Sequence, residues 1–190
     1  MGLPRIFLSH STAWSAPIIN ALLLFFAIFF NIQRVVLPTS PDVPWLNPYS
    51  ITKQTSEKFA KFFNKEYDVE TVSLKFGKIY GPRERWLNFS MGAPFNYQFL
   101  IPTIIVETLR GNIVQIYGDG NQKSEYIFVH DVIESFVRTL KTEKNLGGET
   151  IPVGNNKNYS VNDIIETMEK LSLIHISEPT RLGMISYAVF

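Results

Sequence analysis

Tyr49-Ser-Ile-Thr-Lys53 places a phenol and an ammonium four residues apart. On a helix, residues i and i+4 share one face, so both side chains can reach a single bound molecule. An ammonium beside a tyrosine favours the phenolate, and the expectation is a Tyr49 pKa drawn down from about 10 towards neutrality. That chemistry suits Tyr49 as a general acid/base for a sugar or alcohol hydroxyl, with Lys53 also free to donate to a diol such as a ribose. Taken alone, the spacing equally fits an exposed pair at a helix start, because so short a motif recurs by chance.

Composition narrows what else the chain can do. It has 190 residues, Lys+Arg 18 against Asp+Glu 17, a net charge of +1 and no cysteine. Near-neutral charge gives no broad field for nucleic acid or anionic lipid, so no nucleic-acid partner is expected. The lack of cysteine excludes disulfide scaffolds, Cys-ligated zinc, iron–sulfur clusters and thiol catalysis.

Positioning Tyr49 and Lys53 requires a helix, and the sequence supplies one. Pro48 can open it, and Tyr49 to Asn64 contains no Gly or Pro to stop it. Val69 to Ile79 alternates as a strand and closes at Tyr80-Gly-Pro82. Further expected elements are a helix over 101–109, strands over 113–117 and 126–129, a helix over 131–140 and a strand over 150–153. Ser160-Val-Asn-Asp163 resembles a capping box that opens a helix over 164–170. Strands alternating with helices imply βαβ units and a mostly parallel sheet. Residues 1–47 read as irregular, because prolines surround a block that is almost continuously apolar from Ile18 to Ile32. That block is short for a membrane helix and lacks a cleavage site after it, so it reads as a buried element or as inserted, non-native sequence.

Three ordered segments carry a more specific signal: Asn47-Pro-Tyr-Ser-Ile-Thr-Lys53, Leu74-Lys-Phe-Gly-Lys-Ile-Tyr-Gly-Pro-Arg83, and Ile116 through Val132 with Tyr-Gly-Asp-Gly-Asn-Gln-Lys-Ser-Glu-Tyr-Ile-Phe-Val-His-Asp between. Together they resemble the later part of the NAD-dependent epimerase/dehydratase family, the extended short-chain dehydrogenases that act on nucleotide sugars. The resemblance covers residues 48–170 and implies an α/β fold: an incomplete Rossmann-type parallel sheet, its second half, plus part of a small substrate-binding region. It implies NAD as cofactor, with NADP the alternative, a nucleotide-sugar substrate, a homodimer in the parent enzyme and a cytoplasmic location. In the family's chemistry a hydride passes from a sugar carbon to NAD while the Tyr takes the hydroxyl proton. Tyr49 and Lys53 map onto the catalytic pair, and both also face the cofactor. Ser11, at the end of the segment Ile6-Phe-Leu-Ser-His-Ser11, is the match for the Ser or Thr that assists them, although it lies further from the Tyr than is usual. Phe76 falls beside the cofactor, and Lys78 and Lys123 are the substrate cations.

Where the family usually has Arg and Asn, this chain has Lys75 and Lys78, and Ser124 stands where Arg is usual. Lys lacks the planar fork that grips a diphosphate. No Gly-x-x-Gly-x-x-Gly turn is present. The implied function is therefore a fragment of an NAD-dependent nucleotide-sugar epimerase or dehydratase, inactive as it stands. A non-catalytic binding or assembly module of the same fold, or a protein anchored in a membrane by residues 18–32, are the alternatives. Residues 171–190 stand apart. Leu171-Ser-Leu-Ile-His-Ile-Ser-Glu-Pro-Thr-Arg181 resembles the translation of a transposase-end sequencing adapter, and Ile185 to Phe190 that of the flow-cell end of the same library. These residues are expected to be a non-native tail with no place in the sheet.

Overall fold

The structure is a computed structural model that describes residues 5–7, 16–42, 48–84, 100–110, 116–171 and 187–188. The chain divides into two interleaved units, residues 1–77 with 130–154, and residues 78–129 with 155–190. The expected division was linear, at residues 47 and 170. Interleaving arises because the strand after Gly77 leaves for the second unit, and the chain returns at His130 to complete the first.

In the first unit, strands β1 (Arg5–Phe7), β2 (Arg34–Thr39), β3 (Glu70–Phe76) and β7 (Thr150–Val153) form a four-stranded sheet in the order β1-β2-β3-β7. Every pairing in it is parallel. Helix α1 (Ala16–Phe29) connects β1 to β2, and α2 (Pro48–Tyr67) connects β2 to β3. The apolar block thus forms a crossover helix within a regular βαβ unit. No helix among the described residues is long and apolar enough to cross a membrane.

One face of the sheet packs on α1 and α2. Leu24, Ala27, Val35, Leu37, Ala60, Phe63 and Val69 share one buried cluster there. Side chains alternate along a strand, so Phe76 points to the opposite face, where its ring lies 5.4 Å from Phe136 of α4 (Val129–Lys141). The inward stripe of α2 is Ser50, Lys53, Ser56, Ala60 and Phe63, spaced three and four apart. Its small members let the helix sit close on the strands. Ser56 accepts from Asn20 of α1 at 2.8 Å and donates to Thr52 O at 3.0 Å, which satisfies its buried hydroxyl.

The second unit holds β4 (Lys78–Tyr80), β6 (Lys123–Phe128) and β8 (Asn158–Ser160) in the order β4-β6-β8. The first pair is parallel and the second antiparallel. Helices α3 (Leu100–Leu109) and α5 (Val161–Leu171) bury Ile104, Val161 and Ile164 with Ile116 and Tyr126. The capping box forms as expected. Ser160 N donates to Asp163 Oδ2 at 2.8 Å, and Asp163 N to Ser160 Oγ at 3.0 Å. Gly81 follows β4 at φ 145, and a Cβ there would lie 2.6 Å from Val129 Cγ1, so a side chain in its place would be strained and would displace the valine. Two short strands, β5 (Ile116–Tyr117) and β9 (Tyr187–Ala188), pair in parallel. Contrary to expectation, the tail therefore contributes a ladder. It is separate from the larger sheets and only two residues long.

Candidate functional site

The carboxyl ends of β2 and β3 meet the first turns of α2. In an open parallel sheet this edge is where ligands bind, because the loops leaving the strands diverge there. Tyr49 and Lys53 both lie on it. Tyr49 is 39% exposed and Lys53 only 5%. The Lys53 Nζ lies 5.6 Å from the centroid of the Tyr49 ring and donates to Pro38 O at 3.2 Å.

This geometry alters the electrostatic expectation. The ammonium sits over the ring and does not set the ionisation of the hydroxyl. Burial dominates and raises the Tyr49 pKa above its usual value, opposed by a hydrogen bond with the Ser40 side chain that lowers it. The expected shift towards neutrality is thus not found. Burial also pulls Lys53 down to about 8. A protonated Lys53 is poised to lose its charge just above physiological pH.

The Lys53 shift has a consequence for stability. Its folded pKa lies below the ordinary lysine value of 10.5. Below pH 8 the full penalty of a buried ammonium is therefore present, and stability rises with pH between about 8 and 10.5 as the folded protein sheds its proton first. Lys53→Met is expected to be more stable than the parent at pH 7 by on the order of 2 kcal/mol, the gap closing towards pH 10. Urea unfolding of both proteins at the two pH values checks this. A less stable Lys53→Met at pH 7 would refute it.

Ser40 is the residue that sequence reasoning missed. It follows the last residue of β2, and its hydroxyl meets that of Tyr49. Ser11 lies outside the described residues. The signal for Ser40 was the Thr39-Ser40 pair closing the strand Arg34–Thr39. It was hidden because the preceding apolar block obscured that strand.

The remaining expected site residues divide between the two units. Phe76 ends β3 in the first unit and is 3% exposed, its ring taken up by packing on Phe136. Lys78 and Lys123 belong to the second unit, on β4 and β6. The Lys78 Nζ stands 5.6 Å from the centroid of the Tyr126 ring, and burial lowers its pKa. Lys123 is exposed and lies opposite Ser160 in the β6–β8 ladder, near enough to Asp163 to help hold that carboxyl below its usual range, after the bonds from Ser160. No cluster of His, Cys, Asp and Glu suited to a metal occurs among the described residues.

Comparison with known proteins matches residues 33–154 to the NAD dependent epimerase/dehydratase family. The chain is 30% identical over 131 residues to the UDP-glucuronate 4-epimerase of Thermodesulfobacterium geofontis, covering 68% of this chain and 36% of that protein. It is 28% identical over 132 residues to the UDP-glucose 4-epimerase of Mycolicibacterium smegmatis, covering 68% and 36%. The matched stretch thus spans little more than a third of the length of these relatives. Among solved structures, the dTDP-glucose 4,6-dehydratase of Bacillus anthracis in complex with NAD has a TM-score of 0.78 at 18% identity, covering 97% of this chain and 60% of that one. That likeness is one of fold, a Rossmann-type α/β sheet.

Proposed function

Since the chain belongs to the NAD-dependent epimerase/dehydratase family, we propose that Tyr49, Lys53 and Ser40 form the proton-transfer centre of an NAD-dependent nucleotide-sugar epimerase or dehydratase. The observation that carries this reading is the placement of all three at the carboxyl edge of a parallel sheet, with a serine hydroxyl on the phenol and an ammonium beneath its ring.

The donor set at Lys53 fits the ribose of NAD. An ammonium has three donors, and Pro38 O takes one. Those remaining can go to a vicinal diol. When bound, NAD supplies the acceptor for the hydride leaving the sugar carbon. The protein's share is the proton. Tyr49 accepts it from the sugar hydroxyl, and the Ser40 hydroxyl holds the phenol oxygen that receives it. The bond from Ser40, which draws the Tyr49 pKa down against burial, favours the phenolate that this step requires. Incubating the full-length protein with NAD and a panel of UDP- and dTDP-hexoses tests the reading. An inverted or dehydrated sugar is expected, and its absence across the panel counts against turnover.

The partner is a second copy of the chain. Leu22, Phe25, Phe26 and Phe29 of α1 and Phe30 just after it are exposed, as are Phe62 and Tyr67 of α2. Phe25 and Phe62 both pack against Phe63, at 5.1 and 5.7 Å, so the two helices present one continuous apolar face. A patch of this kind marks an interface or a site of aggregation. Phe25→Glu with Phe62→Glu is expected to convert a dimer into a monomer in sedimentation velocity, and a parent protein that is already monomeric would refute the pairing.

A further inference from the structure

Ser40 lies beyond the end of β2, where no ladder holds it, yet the segment around it is tied down on both sides. Pro38 O accepts from Lys53 at 3.2 Å. Thr39 Oγ1 donates to Glu57 Oε1 at 2.7 Å. Asp42 Oδ2 accepts from the Nζ of Lys75 at 3.1 Å. Glu57 and Lys75 are themselves paired at 3.4 Å, through the same Oε1 that Thr39 uses. Both side chains are largely withdrawn from water, at 15% and 19% exposure, whereas Asp42 is exposed at 68%. Glu57 stands one turn beyond Lys53 on α2, and Lys75 is the penultimate residue of β3.

We propose that Glu57 and Lys75 are positioning residues, which hold Thr39 to Asp42 on the path that brings Ser40 to Tyr49. The inference rests on the reading of Tyr49 and Ser40 given above, and it assigns the pair a task beyond stability. A single carboxylate oxygen anchors the residue before Ser40 and also its own cation. That cation anchors the carboxylate two residues after Ser40. Breaking either link releases the serine without touching Tyr49 or Lys53.

The titration of Tyr49 reports this without any need for turnover. The chain is labelled with carbon-13 at the tyrosine ring ζ position, and the Tyr49 signal is assigned by its loss in Tyr49→Phe. Lys53, the cation over the ring, is kept in every variant. Ser40→Ala is expected to raise the Tyr49 pKa, because the phenolate loses a donor. Glu57→Ala and Lys75→Met are expected to raise it in the same direction, with no further rise when either is combined with Ser40→Ala. Lys75→Arg restores the parent value. Lys75→Met keeps the bond from Thr39 to Glu57, so it carries the test if Glu57→Ala does not fold. A shift in Ser40→Ala with none in Glu57→Ala or Lys75→Met, or shifts that simply add, overturns the positioning role alone. No shift in Ser40→Ala overturns the Tyr49–Ser40 reading and this proposal with it.

Discussion

Tyr49→Phe in the full-length protein is expected to lower turnover of a nucleotide sugar by about 10²–10⁴-fold, the usual contribution of a positioned acid/base. The substitution removes one oxygen. In the proposed step that oxygen takes the proton, and it meets Ser40. The ring is kept, and with it the contact over Lys53 at 5.6 Å. Lys53 retains its bond to Pro38, so NAD affinity should change little while turnover collapses. Folding should also survive, because Tyr49 is 39% exposed and its ring lies outside the main buried cluster. Steady-state kinetics paired with NAD titration separate the two effects. Loss of NAD binding equal to the loss of turnover would make Tyr49 a cofactor-holding residue and not an acid/base.

The second large effect falls at the other end of the sheet. Arg34 opens β2 with a side chain only 3% exposed, and it gathers the end of α4. Its Nη1 donates to Thr139 O and Thr142 O, each at 2.6 Å, and its Nη2 to Lys144 O at 2.8 Å. The same Nη2 pairs with Glu70 Oε1 at 2.7 Å, and that oxygen also accepts from Leu146 N. A guanidinium is well suited here, because the last carbonyls of a helix lack partners and carry partial negative charge. Arg34→Met strips all of these groups at once and leaves the Glu70 carboxylate without its cation. The expected loss is about 3–5 kcal/mol, the range for breaking a buried pair by removing one partner. That is a large share of the roughly 5–15 kcal/mol by which domains are stable. Arg34→Met with Glu70→Met should be less harmful than Arg34→Met alone, since no uncompensated charge remains. Urea unfolding of the three proteins decides it. A loss in Arg34→Met below about 1 kcal/mol would mean that water reaches the site and screens it.

Much of the fold was legible where a single period or a local signal dominated. Pro48 opened α2, the box of Ser160 and Asp163 opened α5, and the alternation after Val69 marked β3. The strand expected to run to Ile79 divides at Gly77, because the two halves serve different units. The front of the chain was illegible for a physical reason. α1 is apolar on every side: Leu24 and Ala27 are buried, while Phe25, Phe26 and Phe29 are exposed. With no polar face there is no helical period to read, so neither α1 nor the strand after it stood out. The cost was Ser40, whose place beside Tyr49 follows from the end of that strand. The pair Tyr49 and Lys53 was found by spacing, but its ionisation was not. Spacing places the ammonium near the ring, whereas the balance of burial against hydrogen bonding depends on what packs over the hydroxyl.

In the proposed reaction hydrogen leaves a sugar carbon as hydride while Tyr49 takes the proton. The most direct measurement follows that hydrogen. A nucleotide hexose carrying deuterium at the carbon that bears the reacting hydroxyl is given to the full-length protein with NAD, and the label is located after a single turnover. The expected result is deuterium on the nicotinamide, or returned to the sugar, and none in water, with transfer slowed by the same factor as turnover in Tyr49→Phe. Deuterium washing into solvent, or transfer at an unchanged rate in Tyr49→Phe, would contradict it.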